Sequence, residues 1–445
     1  MALLPARDRL RSIVWLGLPI MGGMLSQSLL NLVDAAMVGS LGDKQALAGV
    51  GLGGYLNFMA IAMVMGLGAG VQAMVARRRG QGLDSEIARP LNEGLLIGLL
   101  MAIPLTLFCW TQADWLVGLL TEDAAVREVG SAYFAWRALA IVAVAANFAF
   151  RGYWNGIRRS GMYLQILICM HLANVLVSYA LIFGKFGLPE MGAEGSGLGT
   201  CIAMFFGAAL YFFATLKDGR EHGFLRAIPQ LRTLQSMLRL SLPNSLQQLL
   251  FATGITTLFW IIGQIGTAEL AVAHILINLA LFLILPGVGL GMAATTLVSQ
   301  SLGAGKPEDA YRWGWDVVRV AGCALFVMGM PFWLVPELVL GLFTRDPELI
   351  ALGIWPLRIT GIGMSLDATA LVLTQALLGA GASRTVMGIN LGVQWLLFLP
   401  LAWLAGPVLG GGLLTVWLLQ SGYRAINSTI FAIMWRRRHW SRINI

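Results

Sequence analysis

The chain has 445 residues, of which 58% are hydrophobic and only 12% are charged, with a formal net charge of +8. Soluble globular proteins have about 25% charged residues, so this composition excludes a set of soluble domains and indicates a polytopic membrane protein. The cysteines lie scattered in apolar runs without the spacing of a metal site, and we interpret them as small core residues.

About twelve apolar runs of about 20 to 30 residues alternate with short polar loops, which is the length needed to span a bilayer. The runs begin near Ile13, Gln45, Leu91, Ser131, Gly161, Ala193, Met237, Leu270, Gly314, Ile350, Thr385 and Gly411. The first run follows several arginines, but it is too long for a signal peptide and lacks a small-x-small cleavage site. We therefore expect it to remain as a spanning helix.

The first run has a polar face. Gln27, Asn31 and Asp34 are spaced i, i+4 and i+7, so they lie on one side of a helix. A carboxylate facing lipid would cost at least ~2.5 kcal/mol, so Asp34 should point into a protein interior or a wet cavity. Asp34 is therefore a candidate functional residue. The alternative is a structural acid that is hydrogen-bonded to a neighbouring helix.

Basic residues occur in every second loop, whereas several of the intervening loops carry acids. By the positive-inside rule this pattern places both termini in the cytoplasm. The net positive charge is then explained by topology and by contact with anionic lipid. It predicts no nucleic-acid partner.

The two halves of the sequence resemble each other. Gly-Leu-Pro19 recurs as Ser-Leu-Pro243, and Gly39-Ser-Leu-Gly42 recurs as Gly263-Gln-Ile-Gly266, with the same separation between the two copies in both cases. The order of spans and basic loops is kept, which predicts two parallel repeats of six spans. We expect an N-terminal six-helix lobe over residues 1–216, a cytoplasmic linker over 217–239, and a C-terminal six-helix lobe over 240–445.

Few other side chains at membrane depth could carry chemistry. Asp367 is the second acid well inside a predicted span, and neither it nor Asp34 has an acidic counterpart in the other repeat. This asymmetry favours a functional role over an architectural one. Polar residues in other spans are individually more typical of helix–helix hydrogen bonds than of ligand contacts; they include Asn147, His171, Asn174, Ser178 and Thr200.

The sequence contains no recognisable nucleophile, metal or nucleotide constellation, and it lacks a Gly-x-x-x-x-Gly-Lys-Ser/Thr loop. We therefore expect no cofactor, no metal site, no catalytic residues and no ATP-driven pumping. An intramembrane enzyme would need a paired catalytic constellation. A carrier instead can use a single acid, because competition between a proton and a cation for one carboxylate is a minimal antiport mechanism in which each ligand weakens the other.

One motif resembles a known family. Val33-Asp34-Ala-Ala-Met-Val-Gly39-Ser-Leu-Gly42, followed by Ala46-Leu-Ala48-Gly-Val50, is similar to the first-span signature of the multidrug and toxic compound extrusion (MATE) transporters, especially their DinF-like branch. The resemblance extends over essentially the whole chain and includes Leu377-Leu-Gly379-Ala-Gly381. It implies an all-α membrane fold of about twelve helices in two pseudo-symmetric six-helix lobes, arranged in a V.

The resemblance also implies roles for individual residues. Asp34 matches the first-span acid of the DinF-like branch that is implicated in cation coupling, and Asn174 and Thr200 match its polar partners. Where many relatives have a second acid in span five, this chain has Ser178. Sodium favours several oxygen ligands and charge compensation, so the serine favours protons. Asp367 matches a span-ten acid of the NorM-like branch, whereas Phe251 stands where that branch has a span-seven glutamate.

We therefore predict a monomeric exporter in the bacterial inner membrane, with Asp34, Asn174, Ser178 and Thr200 coupling a cation, and with Gln27, Asn31, Asn147 and Asp367 lining a cavity. Its expected substrates are cationic or amphipathic small molecules, exchanged for protons by alternating access. Sodium coupling and a flippase for lipid-linked substrates are the alternatives. A flippase would be expected to have a more cationic cavity than the few arginines and lysines at membrane depth provide.

Overall fold

The computed structural model describes residues 5–443, so residues 1–4 and 444–445 of the predicted lobes lie outside the described residues. The described chain is helical and contains no strand. The first half forms α1 (Arg7–Gly39), α2 (Lys44–Gly80), α3 (Arg89–Thr111), α4 (Ala113–Gly118), α5 (Ala124–Leu139), α6 (Ile141–Gly156), α7 (Ser160–Ile182) and α8 (Ala193–Asp218). The second half forms α9 (Leu231–Gly263), α10 (Thr267–Gly303), α11 (Pro307–Leu334), α12 (Pro336–Gly341), α13 (Pro347–Ala380), α14 (Ser383–Leu391), α15 (Leu399–Trp403) and α16 (Gly412–Arg437).

Short helical turns complete the chain. Single 3₁₀ turns lie at Asp84–Glu86 and His439–Arg442. Wider π-helical turns at Gly392–Phe398 and Leu404–Val408 join α14, α15 and the residues around them into one membrane-length segment, 383–408.

The expected number of spans is confirmed. Ten of the described helical segments are long and apolar enough to cross a membrane, and the pair α5 and α6, bent by 45°, makes an eleventh. α16 has 26 residues, or about 39 Å at about 1.5 Å per residue, which is long enough for a twelfth. The fourth span was predicted as one run from near Ser131, but it consists of two helices that meet at Ala140.

The internal repeat is visible in the helices. α1 and α9 have 33 residues each, α2 and α10 have 37 each, and α4 and α12 have 6 each. The halves differ at the fourth span, because the bent α5–α6 pair corresponds to the continuous 34-residue α13. The two acids singled out by the sequence lie on α1 and α13, which are not equivalent helices of the repeat.

The described chain divides into two compact units. One comprises residues 22–246 and the other comprises residues 5–21 together with 247–443. α1 therefore changes unit shortly after Pro19, and α9 does so shortly after Pro243. α9 also begins at Leu231, inside the segment predicted as a linker. The lobe boundaries 1–216, 217–239 and 240–445 stay a prediction.

In the unit formed by residues 22–246, α2 packs against α5 and α6, and α7 packs against α8. Residues 219–230, between α8 and α9, fold back onto this unit. Asn92 on α3 donates to the carbonyls of Gly223 and Ala227 and accepts from the N–H of Leu225. Phe224 is fully buried there. This connection is consequently a packed part of the unit.

In the other unit, α13 is the central helix and packs against α10, α11 and α16. The first turns of α1 belong to this unit and are fixed by Arg9, which donates to Asp309 at 2.6 Å and to Asp316 at 2.5 Å. The guanidinium of Arg9 also lies 3.7 Å from the ring centroid of Trp313. These charge-assisted contacts hold the start of α1 against α11.

Glycines permit close helix contacts at specific places. A Cβ on Gly53 would lie 2.9 Å from the carbonyl oxygen of Gly130 and 2.8 Å from Tyr133, whereas a Cβ on Gly54 would meet nothing within 4 Å. Gly53 therefore permits the close contact of α2 with α5, whereas a side chain at Gly54 would meet no neighbour.

We expect Gly53→Ala to destabilise the protein by about 1–3 kcal/mol, because α2 and α5 must separate to admit the methyl group. Thermal unfolding in detergent should show a lower midpoint. Gly54→Ala is the matched control on the next residue and should leave the midpoint unchanged or slightly higher, because alanine favours a helix over glycine. Equal midpoints for the two variants would contradict this account of the packing.

Candidate functional site

The carboxylate of Asp34 lies where α1 meets α7. Its Oδ2 accepts a hydrogen bond from Nδ2 of Asn174 at 3.2 Å. Its Oδ1 is buried and has no hydrogen-bond partner among the described residues. A buried oxygen of this kind is costly unless something neutralises it or bonds to it. The geometry therefore leaves one atom of Asp34 available to a ligand or a proton.

Asn174 is oriented by a hydroxyl group of its own helix. Its Oδ1 accepts from Oγ of Ser178 at 2.8 Å. Oγ1 of Thr200 lies 3.3 Å from the same oxygen, and its single proton has the carbonyl of Ser196, at 3.0 Å, as a closer acceptor. All three side chains are buried. Because the Ser178 hydroxyl donates to the amide oxygen, the amide NH₂ group faces Asp34. The four predicted coupling residues thus form one hydrogen-bonded network.

A second polar cluster lies about two turns earlier on α1. Nε2 of Gln27 donates to Oδ1 of Asn31 at 3.3 Å, and Oε1 of Gln27 lies 3.3 Å from Nε2 of His171 on α7. Gln27, Asn31 and Asp34 therefore do share a face of α1. His171 and Asn174 are one helical turn apart and meet this face from α7.

Asn147 belongs to a different part of the same unit. Its Nδ2 donates to the carbonyl of Met204 at 3.1 Å and lies near the sulfur atoms of Met170 and Met204. Its Oδ1 is buried without a partner among the described residues. No hydrogen bond joins Asn147 to the Asp34 network in the described part of the chain.

Arg137 is the cation associated with Asp34. It lies on α5, and its charge attracts the Asp34 carboxylate. No salt bridge joins the two side chains within residues 5–443. Asp34 is therefore held by a neutral amide and is influenced by a positive charge at longer range.

Asp367 lies in the other unit and has a direct ionic partner. Nη1 of Arg424, on α16, donates to Oδ2 of Asp367 at 2.6 Å. The pair lines a cavity of about 140 Å³ together with Phe251 and Gln394. The sequence singled out Asp367 but not Arg424, for which a lone arginine inside the last apolar run was the signal.

Within residues 5–443 no group of three or more His, Cys, Asp or Glu side chains is arranged to hold a metal ion. The polar atoms around Asp34 are one carboxylate, one carboxamide and two hydroxyl groups. This arrangement can exchange a proton or a small cation at a single half-buried carboxylate on a membrane helix.

The fold and these clusters define an integral membrane protein with two six-helix repeats and acids at membrane depth. A family model described as MatE matches residues 19–180 and again residues 243–404, once in each half of the chain. The chain therefore belongs to the MatE family of membrane transporters. The double match also confirms the internal repeat.

Individual relatives agree with this assignment. The chain is 29% identical over 426 residues to a probable multidrug resistance protein NorM of Pseudomonas aeruginosa, covering 93% of this chain and 86% of the relative. It is also 29% identical over 415 residues to a NorM of Agrobacterium fabrum, covering 90% of this chain and 88% of that protein. These relatives carry the NorM name, so the resemblance to the DinF-like branch stays a prediction.

A solved structure shares the fold. The crystal structure of a MATE in the straight conformation superimposes with a TM-score of 0.89 at 21% identity, covering 98% of this chain and 97% of that one. The all-helical, twelve-span prediction is confirmed at the level of fold. This similarity concerns the fold, and the roles of the candidate site residues are argued from their contacts instead.

The direction of the hydrogen bond between Asn174 and Asp34 can be tested. In Asn174→Asp a carboxylate oxygen would replace the NH₂ donor beside Oδ2 of Asp34, so the two acids could bond only while sharing a proton. We expect this variant to lose thermal stability, relative to the native chain, as the pH rises far enough to remove that proton.

Thermal unfolding between about pH 5.5 and pH 8.5 measures this effect, with an expected relative loss on the order of 1 kcal/mol or more. The control is Asp34→Asn combined with Asn174→Asp, where the amide and the acid exchange places and the extra pH dependence should disappear. An unchanged pH profile in the single variant would show that residues 34 and 174 are not in contact.

Proposed function

We propose that this transporter is a proton-coupled antiporter that exports cationic or amphipathic small molecules by alternating access across the bacterial inner membrane. The observation that carries the proposal is the half-satisfied carboxylate of Asp34, which has one oxygen bonded to Asn174 and one without a partner among the described residues. The names of the multidrug resistance relatives support the substrate class.

The orientation of Asn174 favours a proton over sodium. Sodium would need several oxygen atoms facing Asp34, but Asn174 presents its NH₂ donor there and uses its oxygen to accept from the Ser178 hydroxyl. Hard cations require oxygen ligands, so a sodium ion would have to reverse the amide and break this network. A proton needs only the free Oδ1.

Antiport follows from linkage at the same acid. A proton on Asp34 removes the charge that attracts a cationic substrate, and a bound cation disfavours the proton. Each would weaken the other by the same factor at equilibrium. If the two are bound alternately from opposite sides of the membrane, an inward proton gradient drives substrate outward.

The basic loops favour a cytoplasmic position for both termini. We propose that the protein acts as a monomer, since each repeat-derived unit has its own buried core. The sodium-coupled exporter is the second candidate, and the position of Asp34 in the first span favours it over the flippase.

We expect Asp34→Asn to abolish gradient-driven export of a cationic dye from proteoliposomes, because the amide can neither release a proton nor hold a cation. Folding should be retained, since an amide can still accept from Asn174. Dye efflux is the measurement and thermal unfolding is the folding control. Full transport by a well-folded variant would exclude Asp34 from coupling.

A second experiment imposes one gradient at a time on the native chain. We expect a pH gradient alone to drive efflux and a sodium gradient alone, at equal pH, to give no more than the leak of protein-free vesicles. Efflux driven by sodium and insensitive to the pH gradient would replace the proton with sodium in this proposal.

A further inference from the structure

The pair formed by Asp367 and Arg424 lies deep within its helices. α13 continues beyond Asp367 to Ala380, and α16 continues beyond Arg424 to Arg437. At about 1.5 Å per residue, about 20 Å of helix separates each charge from that end. An ion pair at this depth is expensive, and such groups usually mark a substrate or ion pathway.

Two spaces meet at this pair. The cavity of about 140 Å³ lies on one side, against α9, α10 and the π-helical turn. A groove of about 260 Å³ lies on the other side and is lined by α13 and α16 alone. Asp367, Gln420 and Arg424 line both spaces. These three side chains consequently lie between the groove and the cavity.

The groove opens on an apolar surface. Ile362 and Leu366 line it and are 56% and 62% exposed. Within a membrane span, exposed branched aliphatic side chains of this kind contact lipid chains rather than water. A molecule dissolved in the bilayer could therefore reach the pair through the groove without crossing an aqueous phase.

The ion pair is incomplete. A single hydrogen bond joins it, whereas an arginine and a carboxylate can form two. Three polar atoms of the pair have no hydrogen-bond partner among the described residues: Nε and Nη2 of Arg424 and Oδ1 of Asp367. None of the three atoms is fully buried. The pair thus offers donors for an anionic group and an acceptor for a cationic group, side by side.

Apolar and aromatic side chains around the ion pair can contact the apolar part of an amphiphile. Phe251 and Ile255 line the cavity, and the rings of Phe398 and Tyr423 stack at a centroid distance of 4.9 Å beside it. Drug-sized ligands need about 300–1,000 Å³, so this cavity can hold only a charged group and an adjoining ring. The rest of the molecule would lie in the groove.

We propose that Asp367 and Arg424 form a lateral binding site for the charged group of a zwitterionic amphiphile that enters from the bilayer through the groove between α13 and α16. The carboxylate of the ligand bonds to Nε and Nη2 of Arg424, and its amine bonds to Oδ1 of Asp367. As a route for exported molecules this site rests on the proposed function, whereas the binding itself can be measured without transport.

The test uses two matched probes that both keep N–H donors: rhodamine 110, which is a zwitterion, and its methyl ester rhodamine 123, which is a cation of nearly the same shape. Fluorescence anisotropy of the purified full-length protein in lipid nanodiscs gives both Kd values without a gradient. We expect the native chain to bind the zwitterion about tenfold more tightly than the ester. Equal affinities, or tighter binding of the ester, would overturn the proposal.

Variants separate this site from a merely structural ion pair. Arg424→Gln should remove the preference for the zwitterion, and Arg424→Lys should keep only part of it, because a lysine cannot form the bidentate contact. Arg358→Gln is the matched control. It removes another arginine of the same unit that lines neither space, and it should keep the full preference.

Since Arg424→Gln leaves Asp367 without its cation and can impair folding, the double variant Asp367→Asn with Arg424→Gln removes both charges. A structural pair predicts that the double variant regains both stability and probe preference. Our proposal predicts regained stability and a lost preference, so a preference restored in the double variant would overturn it.

Failure of this proposal is distinguishable from failure of the proposed function. Asp34→Asn should leave the probe preference at Arg424 unchanged while it stops export. Normal export with equal probe affinities would overturn the lateral site alone, and intact probe preference without proton-driven export would overturn proton coupling alone.

Discussion

The cost of keeping a carboxylate inside a membrane helix is the constraint on which the rest of this structure depends. An acid at that depth must be neutralised, hydrogen-bonded or paired, because lipid offers none of these. Asp34 is stabilised by a neutral carboxamide that the Ser178 hydroxyl holds in one orientation. Oδ2 of the acid is hydrogen-bonded, and Oδ1 is left available. A reversible ion site needs such an oxygen that can bind and release its ligand.

The two repeats meet the same constraint in different ways. Asp367 is compensated by the permanent charge of Arg424, whereas Asp34 has a neutral donor and a more distant arginine. The charge of Asp367 is balanced by a fixed cation beside it, whereas the direct partner of Asp34 is neutral. The two acids therefore form chemically different sites on helices that are not equivalent in the repeat, and this difference is why we propose coupling at Asp34 and ligand binding at the Asp367 pair.

Much of the fold could be predicted from the sequence, because spans are determined by local composition. Runs of about twenty apolar residues must be helical in a bilayer, since only a helix satisfies its own backbone there. The repeat was equally visible, because Pro19 and Pro243 occupy equivalent positions in equal helices. The bend at Ala140 was not predicted, because neither proline nor a polar break marks it in the sequence.

The sequence by itself determined which residues could not face lipid. The i, i+4, i+7 spacing placed Gln27, Asn31 and Asp34 on one face of a helix. Asp34 and Asp367 stood out because they are acids within apolar runs. Only the tertiary structure decided their partners. Asn174 is 140 residues from Asp34, and Arg424 is 57 residues from Asp367, so neither contact follows from periodicity. Helical spacing specifies a face, but the direction and partner of a hydrogen bond depend on which helix packs against that face.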